Sequence, residues 1–405
     1  MTMYLSQQSF NSALPTNIIF GVNSVEESLT VKIKEFNKSK VFIATDPGLV
    51  KAEIPEKVHS LLKENGIDGI VFSEIEPNPH AVTVMKGAEV YKAESCDMIL
   101  AVGGGSAMDF AKAVGVIVSH PGHILDYRRG VKPVVNEIPT LFAIPTTVGT
   151  GSEVTTVSVV TDHEEGRKYV VASPRLAPKI AFVDPLLTTS LPRHVVAATG
   201  IDALVHALEA YTSLQSMPIT DGLAVQAIKM LKDHLPPSYA HPHNLEARSQ
   251  VHLASTIAGM AFGHGGVGLV HSCSHPMSAI YDVPHGLANA ILLPYVIKHN
   301  LISNYKKYAD IARIFDSSLT FENDNVAAER LVDLLSDFNQ SLNIPKDFSY
   351  LEVEFTKEMV ERLAHDAMED KGTIPNNPRI VVKEDVIKIY HKVLPLSQEE
   401  GGLVR

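Results

Sequence analysis

Short apolar runs alternate with amphipathic stretches through the first half of the chain, and the alternation stops near Pro192. Lys40–Thr45 is apolar almost throughout, as a strand covered on both faces would be, and Asp46-Pro47-Gly48 ends it. A helix from Ile54 to Asn65, stopped by Gly66, leads to the strand Gly69–Phe72. A second helix over Ala81–Glu94 leads to the strand Asp97–Val102, and Leu141–Pro145 and Ile180–Asp184 are two further strand-like runs. Strands spaced by helices imply βαβ crossovers, hence a parallel sheet with helices on both faces.

Past Leu191-Pro192 strand signals almost vanish. Helical periodicity takes over across 197–211, 219–234, 245–261 and 287–298, then across 305–315, 326–342, 356–367 and 383–393. The pattern predicts an α/β domain over residues 1–192 and an all-helical domain over 193–405, with no internal repeat and an unpacked tail from Ser397 to Arg405.

Composition narrows the partners. The 405 residues are 45% apolar and 20% charged, an ordinary globular balance with room for two cores. A formal net charge of −11, with Arg128-Arg129 too short to act as a basic block, argues against nucleic acid and anionic membrane. Cys96 and Cys273 are the two cysteines and form no pairing pattern, which suits a reducing cytoplasm. The first ten residues lack the basic and apolar regions of a signal peptide. The longest apolar run, around Leu287–Ile297, is broken by Asn289 and Pro294 and falls short of the ~20 residues that span a bilayer. The expectation is a soluble cytoplasmic protein acting on a small molecule.

Three stretches carry candidate chemistry. Directly after the strand ending at Val102 comes Gly103-Gly104-Gly105-Ser106, opening a helix through Asp109 and Lys112. Strand, glycines and helix bring backbone N–H groups and a positive helix end against a phosphate. The run is neither the dinucleotide fingerprint nor a P-loop, and a tight turn without ligand uses glycines too. Asp109 is placed to hydrogen-bond within the loop or to favour the first helical turn. A second loop, Pro145-Thr146-Thr147-Val148-Gly149-Thr150-Gly151-Ser152-Glu153, also follows a strand and offers hydroxyls to a nucleotide or polar substrate. Asp46 is placed to accept hydrogen bonds from a ribose, or simply to cap a helix.

The third stretch is Thr199–Gly286. Asp202 and His206 are four apart and share one helix face; His271 and His275 repeat that spacing, and His285 follows. One such pair alone is ordinary on a helix. Here the later histidines sit among Gly, Val, Leu and Met, where an imidazole without a partner is costly to bury. A carboxylate and three or four imidazoles on separate segments can close around a divalent metal, and the ligand types suit Fe²⁺ or Zn²⁺ alike.

Taken in order, Gly103-Gly104-Gly105-Ser106-x-x-Asp109-x-Ala111-Lys112, Pro145 through Glu153, and Gly200-x-Asp202-Ala203-Leu204-x-His206-Ala207-x-Glu209 form a larger signature. His271-x-x-x-His275-Pro276 and Pro284-His285-Gly286-x-x-Asn289 complete it. The set resembles the iron-containing (group III) alcohol dehydrogenase family from Pro15 to Arg379. The resemblance implies a Rossmann-like dinucleotide-binding α/β domain plus an all-α domain, a dehydroquinate synthase-like architecture with the active site in the cleft between them. It implies an NAD(P)-dependent oxidoreductase holding Fe²⁺ (or Zn²⁺) on Asp202, His206, His271 and His285, and a homodimer or larger assembly. By resemblance His275 lies near the nicotinamide and moves a proton, while Gly103, Gly104, Gly105 and Ser106 hold the pyrophosphate beside Asp109. Thr146, Thr147 and Thr150 line the adenosine side. Asp46 matches a position where a carboxylate favours NAD(H) over NADP(H) by repelling the extra phosphate.

Departures from the family pattern fall around the expected substrate pocket of Val157, Phe262, His264, Val267 and Cys273. Members often carry Phe-Ser-Asn-Ala/Val-Gly where this chain reads Phe262-Gly263-His264-Gly265-Gly266, and His-Pro-Leu-Gly becomes His275-Pro276-Met277-Ser278. His264 is the unusual polar addition, so a hydroxy-, sulfo- or phosphono-aldehyde stands beside a short unbranched aldehyde as substrate. Within the family, a hydroxyacid–oxoacid transhydrogenase is an alternative. A dehydroquinate synthase-like lyase would need a strongly cationic pocket, and the loops show no such cluster.

Overall fold

The computed structural model describes residues 13–164 and 166–397. The tail read as unpacked lies outside these residues except for Ser397. The strands are β1 (Asn17–Phe20), β2 (Lys40–Ala44), β3 (Asp68–Phe72), β4 (Met98–Gly103), β5 (Thr140–Pro145), β6 (Val157–Asp162), β7 (Arg167–Ala172) and β8 (Ile180–Val183). Six of them form one parallel sheet in the order β1-β8-β5-β4-β2-β3.

The crossovers run through α1 (Ser24–Glu35), α2 (Pro47–Lys51), α3 (Ile54–Glu64), α4 (Ala81–Ala93) and α5 (Gly105–Ser119). β4 shows why its sequence is apolar without alternation. Met98, Leu100 and Val102 pack into one layer with Leu29, Ile33, Val58 and Leu62, while Ile99 and Ala101 pack into another with Phe110 and Val114. Both faces are covered, so no position is left for a polar residue.

After β8 the chain is helical: α6 (Arg193–Thr212), α7 (Pro218–Ala240), α8 (Leu245–Gly265), α9 (Leu269–Tyr281), α10 (His285–Asn300), α11 (Tyr305–Phe315), α12 (Asp324–Ser341), α13 (Lys357–Met368) and α14 (Lys383–Val393). α6 is the axis of this part, buried at every residue from Gly200 to Thr212 and flanked by α7, α8 and α10. A helix buried all round has no polar stripe, so the charged residues on α6 need a specific reason to be there.

β1 and α1 were not read from sequence, and the β6–β7 hairpin and the end of α7 also depart from the sequence reading. β6 and β7 form an antiparallel hairpin apart from the main sheet, in a stretch where no strand was expected. It packs on α5, and Asp109 accepts a hydrogen bond from the backbone of Val159. α7 runs on through Pro236 and Pro237 to Ala240, past the expected stop at His234. Leu235 and Ser238 are buried in that last stretch, and tertiary packing outweighs the two missing N–H groups. Among the described residues no single helix is long and apolar enough to cross a membrane; the pair α8–α9, bent by 107°, passes on length and composition together.

Candidate active site

The strand order puts β5, β4 and β2 side by side, so their C-terminal loops form one edge. β2 sends its crossovers to opposite sides, to β3 and, through β3, to β4. That is the switch point where parallel α/β sheets open a ligand crevice. Asp46 follows β2, Gly103-Gly104-Gly105-Ser106 end β4 and open α5, and Thr146-Thr147 follow β5. The Thr146 backbone N–H donates to the Gly103 carbonyl at 3.0 Å.

Asp46 does two things here. Its Oδ1 caps α2, accepting from Gly48 and Leu49 at 2.8 and 3.1 Å, and its Oδ2 faces Gly103. Asp109 turns inward, joined to the Ser152 hydroxyl at 2.8 Å and to Val159, so it braces the loop against the hairpin. Lys112, fully buried, donates to the Ser152 and Val157 carbonyls and to the Ser152 and Thr155 hydroxyls; burial lowers its pKa to about 8. The Thr147 hydroxyl is buried without a partner among the described residues, and Thr150 packs against Gly105.

The second loop also reaches the helical part. Gly151, at φ +60°, lies so close to Gly259 of α8 that a Cβ on it would stand 2.5 Å from the Gly259 Cα. Only glycine fits on either side of that contact. The Gly149 carbonyl accepts from Nδ1 of His206 at 3.2 Å, so the loop after β5 touches His206 directly.

Asp202, His271 and His285 bring one ligand atom each to within 4.8 Å of one another. Asp202 comes from α6, His271 from α9 and His285 from the first turn of α10. His206 lies beside this trio, its ring between Phe262 and His271 with centroids 4.2 and 4.8 Å away. His275 stacks on His285 at 5.4 Å and is the more exposed of the site histidines. The sequence-expected residues therefore meet, with Asp202, His271 and His285 in closest convergence.

Burial pushes His206 and His271 down to about 4 and His285 well below its ordinary value. All three are neutral at pH 7, the form that can ligate a metal. His206 spends Nδ1–H on Gly149, and His271 donates Nδ1–H to Glu209 Oε2 at 2.6 Å. Each leaves Nε2 as a bare acceptor. A carboxylate with imidazole nitrogens in a buried cluster is a donor set that fits Fe²⁺ or Zn²⁺.

Glu209 and Asp370 had no role assigned from sequence. Glu209 lies one helical repeat beyond Asp202 on α6, also accepts from the Val270 backbone at 2.7 Å, and is pushed up to about 7 by burial. A carboxylate–histidine pair of this kind fixes the ring and its tautomer. The i, i+4, i+7 spacing of Asp202, His206 and Glu209 was the available signal. Asp370 accepts from His275 Nδ1 at 2.7 Å; burial pushes it up, but the hydrogen bonds from His275, Gly372 and Thr373 outweigh that and hold it low. It follows α13, 95 residues from its partner, and no local pattern announces it.

Lys168 of β7 is also new. It is partly buried and pairs with Thr161 in the hairpin ladder. Burial lowers its pKa to about 8 against the pull of Asp109 and Asp282, and its charge depresses His285. It is coupled electrostatically to Asp109 of α5 on one side and to Asp282 and His285 on the other.

The expected pocket residues are spread out. Phe262 stacks on His206, Val157 opens β6, and the Val267 carbonyl accepts from Asn376. His264 turns to the segment before β1, its Nε2 accepting from the Ala13 backbone at 3.4 Å. Cys273 is wholly inside the helical core, its thiol pushed up by burial.

The glycine loop at the sheet switch point and the carboxylate–imidazole cluster on the helices are joined by the loop after β5, which bonds to both. Residues 15–185 match the family described as iron-containing alcohol dehydrogenase, and residues 196–394 match the Fe-containing alcohol dehydrogenase family, C-terminal. The chain is 36% identical over 384 residues to the NAD-dependent methanol dehydrogenase of Bacillus methanolicus, covering 95% of this chain and 100% of the relative. It is 37% identical to the NADPH-dependent butanol dehydrogenase of Clostridium saccharobutylicum, covering 94% and 97%. The crystal structure of a 1,3-propanediol oxidoreductase superimposes with a TM-score of 0.91 at 36% identity, covering 95% and 99%. The chain belongs to the iron-containing alcohol dehydrogenase family, as its motifs lead one to expect.

Proposed function

We propose that this chain is an NAD(H)-linked, metal-dependent alcohol dehydrogenase, in practice an aldehyde reductase, for a short primary alcohol or aldehyde. The observation that carries the reading is the convergence of Asp202, His271 and His285 beside His275, tied to the nucleotide edge through His206 and Gly149. A divalent cation held by Asp202, His206, His271 and His285 would act as a Lewis acid toward the alcohol or carbonyl oxygen.

The chain's own residues supply the rest. The glycine edge holds the cofactor's diphosphate through backbone N–H groups at the start of α5. Lys168, coupled to Asp109 in the second turn of α5, adds a positive charge on that side. The Asp46 Oδ2 is free for ribose hydroxyls and repels a 2′-phosphate, which favours NAD(H), although the names of the relatives divide between NAD and NADPH. His275, oriented by Asp370 and partly exposed, is the group that passes a proton to water. His264, engaged with Ala13, gives a polar or anionic aldehyde less support than a short unbranched one.

The test is NADH and NADPH oxidation by chelator-stripped protein reloaded with Fe²⁺, Zn²⁺ or buffer. The aldehydes would run from propanal through glycolaldehyde and lactaldehyde to sulfoacetaldehyde. Metal-dependent turnover with NADH, fastest on the short unbranched aldehyde, is expected. Equal rates without metal, or no turnover across the panel with NADH still bound, would sink the reading.

A further inference from the structure

Asn289 completes the last motif of the sequence signature, and no step of the reaction uses it. It lies one turn along α10 from His285 and is fully buried. Its Nδ2 donates to Asp202 Oδ1 at 2.7 Å and lies 3.3 Å from His271 Nε2 and 3.2 Å from His285 Nε2. Its Oδ1 is buried with no partner among the described residues.

The orientation of this amide follows from the network. Reversed, it would set Oδ1 against the Asp202 carboxylate oxygen at hydrogen-bond distance, two acceptors face to face. With Nδ2 in that place, two hydrogens serve three converging acceptors, and the shortest contact goes to the one bearing charge. A buried carboxylate with no donor would turn away from its imidazole neighbours or take up a proton. Leaving Oδ1 without a partner is itself unfavourable, so the packing that holds the amide is specific.

Resting on the metal reading above, we propose that Asn289 is a positioning residue of the metal centre. Its N–H pins Asp202 Oδ1, the oxygen that lies 3.9 Å from both His271 Nε2 and His285 Nε2, and so keeps the carboxylate in register with the two imidazoles. Glu209 does the same for His271 through Nδ1. The two residues are complementary supports, one a neutral donor to the carboxylate ligand and one an anionic acceptor for an imidazole ligand.

The experiment measures Co²⁺ and Zn²⁺ binding to chelator-stripped full-length protein, by titration against a competing chelator and by the visible Co²⁺ band. Asn289→Ala is expected to weaken both ions by roughly 10- to 100-fold, the usual loss when a support of a ligand is removed. The Co²⁺ band should also shift, because the geometry of the carboxylate changes. Asn289→Ser, which keeps a short donor, should fall between Ala and wild type, and it preserves the test if Ala folds poorly. Asn300→Ala is the control: Asn300 is buried at the end of the same helix and bonded to Asn377, so it should lower the melting temperature and leave metal affinity unchanged. Wild-type affinity and an unshifted band in folded Asn289→Ala would overturn the proposal alone. Failure of the wild type to bind either ion would overturn the metal reading and the proposal with it.

Discussion

The nucleotide edge and the histidine cluster are built in opposite ways. At the edge the working atoms are backbone N–H groups, and side chains are kept out of their path. A Cβ on Gly104 would stand 3.0 Å from Thr147 Cγ2, and one on Gly105 would stand 2.9 Å from Thr150 Cγ2. In the cluster the working atoms are side-chain nitrogens and oxygens, and Asp202, His206 and His271 each carry a second partner that fixes their orientation. One region works because atoms are missing and the other because atoms are held. The first should break by addition and the second by removal.

The largest effect lies in the cluster. His271→Ala removes a convergent nitrogen and should abolish metal retention, with turnover falling by at least about 100-fold. Glu209→Gln keeps the shape and loses the anionic acceptor, so it should reduce metal affinity by a smaller factor, roughly tenfold. Metal content after dialysis, measured beside the rate, checks both. Full metal content in His271→Ala would remove that histidine from the ligand set.

At the edge, Gly105→Ala is expected to weaken NADH binding about tenfold, the size of a modest overpacking penalty. Thr150→Ser deletes the methyl group that the new Cβ meets, so the double variant should recover most of the affinity. Fluorescence titration of NADH reads this directly. If the double variant binds no better than Gly105→Ala, the loss comes from the backbone and not from that contact.

The same difference decides what could be read from sequence. Gly103-Gly104-Gly105 at the end of an apolar strand is a contiguous signal, and the sheet that frames it was legible from β2, β3, β4, β5 and β8. The cluster was legible in its ligands because Asp202/His206 and His271/His275 are paired at helical spacing. Its supports were less so. Glu209 sat within a quoted motif without a role, and Asp370 is brought to His275 only by the packing of α13 near α9. The β6–β7 hairpin went unread for a related reason. Val157–Asp162 mixes valine with serine, threonine and aspartate, and its pairing with β7 is supported by the packing of β6 on α5. Lys168 became visible only with that hairpin in place.

Lys168 belongs to neither design, and it gives the smallest but most diagnostic prediction. It is coupled to Asp109 of α5 and to Asp282 and His285, yet among the described residues no side-chain hydrogen bond fixes it as the cluster residues are fixed. In the unfolded chain its ammonium keeps its proton to about pH 10.4, whereas burial releases it in the folded protein near 8. Between those values the unfolded state binds more protons, so stability rises with pH across the window. Below pH 8 the full penalty is present, on the order of 3 kcal/mol. Lys168→Met keeps the stem and removes the charge, so at pH 7 it should melt at a higher temperature than wild type, with the gain shrinking toward pH 10. Its NADH affinity should fall several-fold at pH 7 and should lack the decline expected of the wild type above pH 8. A lower melting temperature at pH 7 would mean that the ammonium has a partner in the folded protein, and that this part of the site is held in the manner of the cluster after all.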